Sequence, residues 1–162
     1  MLHKSIVKKA IGKKGWGLFA TKTIKEGEIV WELDSSCKVF PLKQSIKEKH
    51  PKAFQFGNKY VLCNDDSDFM NHSCNPNTWW LSDTQLVARW DIKAGEEITY
   101  DYSTSDVFPD WVSDWECHCG AKDCRGRISN KDCLRKDFQQ KYGDHLPSWT
   151  KEYIRKNSPN FK

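Results

Sequence analysis

The chain has no long hydrophobic run. Its first thirty residues contain no apolar segment of signal-peptide length, and no stretch approaches the apolar length that a membrane span needs. Internal repeats and low-complexity segments are also absent. The 162 residues leave no room for a second independent domain, and such a chain buries ~70% of its unfolded surface. We therefore expect one soluble, intracellular, monomeric unit without membrane contact.

The chain also lacks a strong charge of either sign. Its 26 Lys and Arg against 22 Asp and Glu give a net charge of +4. Residues 131 to 162 hold eight Lys or Arg against four acids, so this segment accounts for the whole excess. Weak nucleic-acid contact through this basic segment is one interpretation. A solvated helical face is the preferred alternative for so small a bias.

Seven cysteines are an odd number, which does not suggest a complete disulfide framework. Cys117, Cys119 and Cys124 offer three thiolates at close spacing, whereas a closed structural zinc site needs four ligands. Cys74, 43 residues before Cys117, is the preferred fourth ligand, and Cys133 is the rival. The cysteines outside the site are predicted to be reduced, buried thiols; with Cys74 as ligand they are Cys37, Cys63 and Cys133.

The secondary-structure pattern predicts a mostly β fold with peripheral helices, in the α+β class. β-Branched and aromatic stretches separated by turn residues predict strands at residues 5 to 11, 28 to 34, 78 to 81, 85 to 90 and 97 to 100. Helices are expected at residues 42 to 50, 131 to 142 and 148 to 156. Helical character therefore becomes dominant only near the end of the chain.

Four motifs occur in an order that has a known counterpart. They are Gly15-Trp16-Gly17-Leu18-Phe19-Ala20, residues 69 to 77 with Asn71-His72-Ser73-Cys74, residues 97 to 102 with Tyr100-Asp101-Tyr102, and the segment from Cys117 to Gly126. Together they closely resemble the signatures of SET-domain protein lysine methyltransferases with a post-SET zinc motif, over roughly residues 5 to 128.

The resemblance implies a SET-domain β-clip fold, in which short sheets surround a pseudoknot. It divides the chain into a SET domain at residues 1 to 103, a zinc-binding post-SET segment at 104 to 130 and a helical C-terminal extension of the same unit at 131 to 162. Asp68 replaces a frequent family arginine, and only about thirty-seven residues separate the early strands from Asn71. The variable insert that recognises the substrate is therefore short.

The glycine motif is read as a cofactor loop. Its Gly-x-Gly-x-x-Ala spacing formally fits a dinucleotide fingerprint, but no helix is expected to open there, which argues against that alternative. The resemblance instead implies that S-adenosylmethionine contacts Lys14, Gly15 and Trp16, and that Asn71 and His72 bind its adenosine part. An acid-base role for His72 is the alternative that the residue type alone would allow.

The resemblance also assigns the remaining site residues. It implies that Tyr102 is the catalytic tyrosine at the end of a lysine channel, and that Tyr100 controls how many methyl groups fit. Strand alternation would place both rings on one side. His118 lies between two proposed ligands, but alternating side chains argue against a third ligand there. By resemblance, His118 flanks the adenine and Ile128 is its apolar partner.

The implied activity is methyl transfer from S-adenosylmethionine to a lysine of a protein substrate, giving chiefly mono- or dimethyl-lysine. A histone tail, and hence nucleus or chromatin, is expected for a eukaryotic source. A bacterial source would leave a cytoplasmic protein or one delivered to a host. The alternative is a catalytically inactive SET-like module that only binds proteins. The sequence features that argue against it are Tyr102, the glycine loop and Asn71-His72 occurring together.

Overall fold

The computed structural model describes residues 1 to 12, 15 to 50 and 53 to 158. The strands are β1 (Ile6–Ala10), β2 (Trp16–Ala20), β3 (Ile29–Glu32), β4 (Lys38–Pro41), β5 (Phe54–Phe56), β6 (Lys59–Leu62), β7 (Asn71–His72), β8 (Thr78–Ser82), β9 (Gln85–Ala88) and β10 (Glu97–Tyr100). The α-helices are α1 (Gln44–Lys49), α2 (Lys136–Tyr142) and α3 (Ser148–Asn157), with short 3-10 turns at Ser67–Phe69, Tyr102–Thr104 and Asp132–Leu134. The mostly β, helix-poor architecture is confirmed.

The first sheet carries the strands on which the site is built. Its order is β1-β2-β10-β7, with β7 parallel to β10 and the other pairs antiparallel. The side chain of Asn77 supports β10 from beside the ladder, donating to the Glu97 carbonyl at 2.8 Å and accepting from the Thr99 N–H at 3.0 Å. This amide therefore satisfies two backbone groups that a neighbouring strand would otherwise pair.

The main hydrophobic core lies between the first sheet and a second sheet of order β3-β9-β8. Leu18 and Ile98 from the first sheet and Val30 from the second are each 0% exposed. Ile24 and Ile92, also 0% exposed, form an antiparallel bridge that joins the segments before β3 and β10. Burying such side chains stabilises a fold by roughly 1.5–3 kcal/mol each.

A third sheet, of order β4-β6-β5, is formed by the insert between the early strands and Asn71. Lys38 faces Leu62 at the end of the β4–β6 ladder, which places Cys37 opposite Cys63 just beyond it. The two cysteines form a disulfide. The prediction that they are reduced thiols was wrong, because their proximity depends on the strand register. Cys133 is a free, fully buried thiol, as predicted.

The C-terminal helices pack as a separate small cluster against the segment that follows β10. The predicted helix at residues 131 to 142 is shorter than expected, since Asp132–Leu134 form a 3-10 turn and Arg135 is extended. Asp132 accepts hydrogen bonds from the Ser129 N–H and the Ser103 hydroxyl, which hold the turn apart from α2. None of the helices in the described ranges has the length and apolar character that crossing a membrane requires.

Candidate active site and cysteine cluster

The glycine loop meets Asn71 at the edge of the first sheet. The Asn71 amide donates to the Trp16 carbonyl at 3.0 Å and to Glu97 Oε1 at 2.7 Å, which ties β7 to the loop and to β10. A Cβ on Gly17 would lie 2.5 Å from Ile11 Cδ1 and 2.6 Å from Glu97 Oε1. A side chain at this position would require the ends of the Ile11 and Glu97 side chains to shift.

The loop also presents groups suited to a ligand. Gly15 has φ +90°, in the left-handed region that glycine adopts without steric cost. Trp16 is 50% exposed, with the Lys8 ammonium 5.5 Å from its ring. Lys14, the other predicted contact in this loop, lies outside the described residues.

His72 is buried between the sheet and the cysteines. Its Nδ1 accepts from the Tyr102 N–H at 3.2 Å, and its Nε2 lies 3.3 Å from Cys74 Sγ. Burial, reinforced by Arg125, lowers the pKa of His72 to about 4 despite the nearby Asp101. The ring is therefore neutral at pH 7, and a proton on Nε2 can be donated to the sulfur. These contacts connect the Tyr102 backbone to Cys74 through the buried His72 ring, which is a structural role and not that of an exposed acid-base group.

Tyr100 and Tyr102 form an aromatic pocket with two further rings. The ring centroids of the tyrosines are 4.8 Å apart, and Tyr102 lies 5.2 Å from His72 and 6.2 Å from Trp115. The Tyr102 hydroxyl donates to the Met70 carbonyl at 2.9 Å. Burial raises the pKa of Tyr102, so that this hydroxyl remains a donor.

Strand alternation was the wrong reason for expecting the two tyrosines on one side. β10 ends at Tyr100, and Tyr102 begins a 3-10 turn whose N-cap, Asp101, accepts from the Ser103 N–H. The turn brings the rings together after the strand has ended. Asp101 itself is 1% exposed and is bound by two nitrogens of Arg125 at 2.6 and 2.9 Å.

Four cysteine sulfurs converge next to this pocket. The Sγ atoms of the cluster lie within 4.8 Å of one another, and its members are Cys74, Cys117, Cys119 and Cys124. Cys133 packs in the C-terminal cluster instead and donates to the Asn130 carbonyl. The structure thus brings together the four residues that the sequence selected and leaves the rival out.

The donor set fits a tetrahedral zinc ion. Zinc–sulfur bonds of about 2.3 Å place tetrahedral sulfurs roughly 3.8 Å apart, and Cys74 Sγ lies 4.0 Å from Cys117 Sγ. The backbone N–H of Arg125 points at Cys74 Sγ at 3.4 Å, and the backbone N–H of Cys74 points at Cys119 Sγ at 3.4 Å. Burial raises the pKa of Cys119, but hydrogen bonds from Cys74 and Ala121 outweigh it and lower the pKa to about 7. The surroundings of Cys119 thus favour the thiolate, the form that binds metal, whereas burial raises the pKa of Cys74 and raises that of Cys117 to about 11.

The two predicted adenine contacts differ in exposure. Ile128 is 0% exposed and packs against Cys74 and Cys117. The His118 side chain is 75% exposed and lies 3.9 Å from Glu116. Ile128 offers no surface to a ligand in this conformation, so the assignment of this pair stays a prediction.

Sequence reasoning missed several residues that shape the site. Trp115 contributes a ring to the tyrosine pocket, the Met70 carbonyl fixes the Tyr102 hydroxyl, and Arg125 binds Asp101. Arg125 and Met70 stand within recognised motifs, so a closer reading of those motifs could have found them. Trp115 carries no signal beyond its position two residues before Cys117.

A family model described as the SET domain matches residues 15 to 103, more than half of the chain. The chain belongs to the SET-domain family. In this SET domain, the matched segment contains the glycine loop, Asn71, His72 and both pocket tyrosines. Three members of the cysteine cluster and the C-terminal helices lie after the matched residues.

Curated relatives of the SET domain are similar in sequence. Histone-lysine N-methyltransferase ASHH3 of Arabidopsis thaliana is 32% identical over 74% of the chain and 37% of its own length. Histone-lysine N-methyltransferase SETD1 of Drosophila melanogaster is 32% identical over 70% of the chain. The alignment covers 8% of that relative, so the chain corresponds to a minor part of the curated proteins it matches.

Solved structures share the fold. The methyltransferase domain of human histone-lysine N-methyltransferase SETMAR matches with a TM-score of 0.56 at 22% identity, over 77% of this chain and 58% of that one. The structure of KRYPTONITE in complex with mCHG DNA and SAH matches with a TM-score of 0.53 at 23% identity, over 78% of this chain and 29% of that one. These similarities identify a SET-domain architecture.

Proposed function

We propose that this SET domain is an S-adenosylmethionine-dependent protein-lysine N-methyltransferase. The observation that carries the proposal is the pairing of β7 with β10. It puts Asn71 beside the glycine loop and His72 beside the Tyr100 and Tyr102 rings, so a cofactor bound at the loop and a lysine bound at the rings would meet on one pair of strands. The histone-lysine methyltransferase names of the relatives support the same reaction.

The cofactor would be held by the loop and by β7. Gly15, Trp16 and Asn71 are the proposed contacts, together with Lys14 and with His72 through its backbone. The fit rests on the tight packing around Gly17 and on the exposed Trp16 ring beside it. S-adenosylmethionine would supply an electrophilic methyl group on its sulfonium sulfur; as the neutral lysine nitrogen bonds to the methyl carbon, the carbon–sulfur bond would break and the neutral thioether, S-adenosylhomocysteine, would leave.

The pocket would align and dehydrate the amine. The Tyr102 hydroxyl is fixed by the Met70 carbonyl, so its oxygen lone pairs are available to the amine in a set direction. Aromatic rings around it exclude water, and burial near a cation favours the uncharged amine. The lysine proton would leave to solvent before transfer. Alignment of this kind can contribute several kcal/mol, within the ~7–11 kcal/mol known for well-oriented reactions.

The four cysteines would hold one structural zinc ion. Zinc would bind four thiolates, and its role would be to pin the segment of Cys117 to Cys124 onto the turn at Cys74. His72 then links this site to the pocket, since its ring contacts both Cys74 Sγ and the Tyr102 backbone. Loss of metal is therefore expected to disturb the channel as well as the post-SET segment.

A protein lysine is the proposed substrate, and a histone is the first class to test because the relatives are named for histone lysines. A nuclear or chromatin location follows only for a eukaryotic source. Tyr100 is proposed to restrict the product to mono- and dimethyl-lysine, with His118 and Ile128 as further adenine contacts.

Isothermal titration calorimetry separates this proposal from a scaffold that only binds proteins. Zinc-replete protein is titrated with S-adenosylmethionine and with S-adenosylhomocysteine. We expect saturable binding of both at one site. Absence of heat with either ligand, on protein with a full complement of zinc, would contradict the enzyme assignment and favour the scaffold.

A further inference from the structure

The last turn of α2 reaches the site from outside the segment that matches the family model. The Tyr142 side chain is 1% exposed, and its hydroxyl donates to Asp101 Oδ2 at 2.7 Å. The neighbouring Lys141 ammonium donates to the Cys74 carbonyl at 2.5 Å and to Asp123 at 2.8 Å. Two consecutive residues therefore contact both halves of the site, the turn before Tyr102 and the cysteine cluster.

Asp101 connects these contacts to the pocket. It immediately precedes Tyr102, and its Oδ1 accepts from the Ser103 N–H and from Arg125, capping the 3-10 turn that begins at Tyr102. The same carboxylate lies 3.7 Å from His72 Nδ1. A displacement of Asp101 would therefore move the backbone from which the Tyr102 ring projects.

The Tyr142 hydroxyl is one of the few donors available to Asp101 Oδ2, which otherwise accepts from Arg125. The carboxylate has almost no contact with water, so each donor counts more than it would at the surface. Burial, followed by the charge of Asp101, raises the pKa of Tyr142. The phenol therefore stays protonated and keeps its role as donor.

Helix α3 holds the next part of the same segment. The Trp149 indole N–H donates to the Ser105 carbonyl at 3.0 Å, and the Thr150 hydroxyl donates to the Thr104 carbonyl at 2.7 Å. We define α2 and α3 as the C-terminal brace. Its bonds to residues 101 to 105 are distributed along the turn that follows the strand of Tyr100.

We propose that the C-terminal brace is a positioning element of the transfer site, in which Tyr142 fixes the Asp101 carboxylate and Lys141 fixes the Cys74 backbone. Neither residue touches the reacting atoms, so both are positioning residues. The expected effect of the brace on kcat rests on the proposed function. Its consequence for the cysteine cluster stands independently, because Asp101 also binds Arg125, whose N–H points at Cys74 Sγ.

Tyr142→Phe is compared with Tyr153→Phe. The Tyr153 hydroxyl, on α3, accepts from the Asn130 amide and makes no contact with Asp101, so each variant loses one phenol hydrogen bond within the same region. We expect Tyr142→Phe to lower kcat about tenfold, the size of a lost hydrogen bond to a charged group, with an unchanged KM for S-adenosylmethionine. Tyr153→Phe should leave kcat unchanged. Equal kcat for the two variants would overturn the proposal.

Lys141→Met and Lys136→Met provide the second comparison, which does not require turnover. Lys136 is exposed on the same helix, whereas Lys141 binds the Cys74 carbonyl. Zinc release from zinc-replete protein to a colorimetric chelator should be several-fold faster for Lys141→Met and for Tyr142→Phe than for their controls. Release at the control rate in both would refute the brace, even if Tyr142→Phe proved too unstable for kinetics. Faster release without any turnover by the unmutated protein would support the brace and contradict only the proposed reaction.

Discussion

At the scale of single residues, the site depends on polar groups that are held in place by backbone carbonyls. The Met70 carbonyl binds the Tyr102 hydroxyl, and the Trp16 carbonyl binds the Asn71 amide. Trp16 lies in β2 and Met70 directly precedes β7, so both carbonyls are fixed by the first sheet and the side chains that they bind are preorganised. Preorganised dipoles act on a transition state without a reorganisation cost.

Replacing Tyr102 by Phe removes the hydroxyl and keeps the ring that packs against Tyr100 and His72. We expect kcat to fall by about 10²–10³, the range for loss of one preorganised polar group at the reacting centre. S-adenosylhomocysteine affinity should remain unchanged, because the hydroxyl is proposed to act on the amine and not on the cofactor. Steady-state kinetics and calorimetry on the same preparation check both parts. Turnover equal to that of the unmutated protein would remove Tyr102 from its proposed role.

Replacing Gly17 by Ala introduces a methyl group 2.5 Å from Ile11 Cδ1 and 2.6 Å from Glu97 Oε1. Both atoms are the ends of side chains that can shift, but a shift of Glu97 would break its hydrogen bond with the Asn71 amide and alter the loop contact. We expect S-adenosylmethionine affinity to fall about tenfold or more. Gly95→Ala is the control, since Gly95 has φ +89° and open space around it. That variant should lose stability while keeping its affinity; equal affinities for the two variants would contradict the argument.

The Tyr100 hydroxyl is predicted to limit the product. A hydroxyl in the pocket can hold a water or the amine and so occupy the volume that a further methyl group needs. We expect chiefly mono-methylation by the unmutated protein and higher states by Tyr100→Phe. Intact-mass spectra over a time course measure this. Trimethyl-lysine from the unmutated protein, or an unchanged distribution in the variant, would refute the steric explanation.

At the scale of elements, the short third sheet is closed by the disulfide between Cys37 and Cys63. Replacing both cysteines by Ser is expected to lower the free energy of unfolding by about 2–4 kcal/mol, the usual contribution of a disulfide. Denaturant unfolding measures it, with zinc present throughout. A reductant should destabilise the unmutated protein and leave the double variant unchanged. Alkylation of both thiols in the native, unreduced protein would contradict the pairing.

The elements also show which parts of the fold a sequence can specify. The strand at Glu97–Tyr100 was predicted with its observed bounds, because β-branched and aromatic residues are flanked there by clear turn signals. The start of α2 was not predicted correctly. The Asp132 carboxylate, in the 3-10 turn before α2, accepts a hydrogen bond from Ser103, which is far away along the chain. The disulfide was missed for the same reason, because cross-strand neighbours become known only with the register.

At the scale of the whole molecule, the cysteine cluster joins segments that are distant in sequence. Counting ligands showed that Cys117, Cys119 and Cys124 need a fourth partner, and Cys74 was preferred to Cys133 because it lies at the turn of Asn71 and His72. The brace could not be anticipated in this way. Tyr142 and Lys141 carry no motif, and their role depends on how α2 packs against the turn after Tyr100.

Metal content tests the cluster. We expect one zinc ion per chain in the unmutated protein and in Cys133→Ser. Cys74→Ser should lose zinc, because Cys74 belongs to the cluster and Cys133 does not. Elemental analysis of the purified proteins measures the stoichiometry, and calorimetry should show that cofactor affinity is lost together with the metal. Retention of zinc by Cys74→Ser, with loss in Cys133→Ser, would overturn the ligand set.

The central claim is that the loop and the aromatic pocket together transfer a methyl group to lysine. The most direct measurement incubates zinc-replete protein with S-adenosylmethionine carrying an isotope-labelled methyl group and a mixture of histones and cell lysate. Tandem mass spectrometry then locates the label, with Tyr102→Phe as the parallel control. We expect labelled methyl groups on lysine side chains, and their formation should depend on Tyr102. Label on another residue type, or equal labelling by the variant, would contradict it.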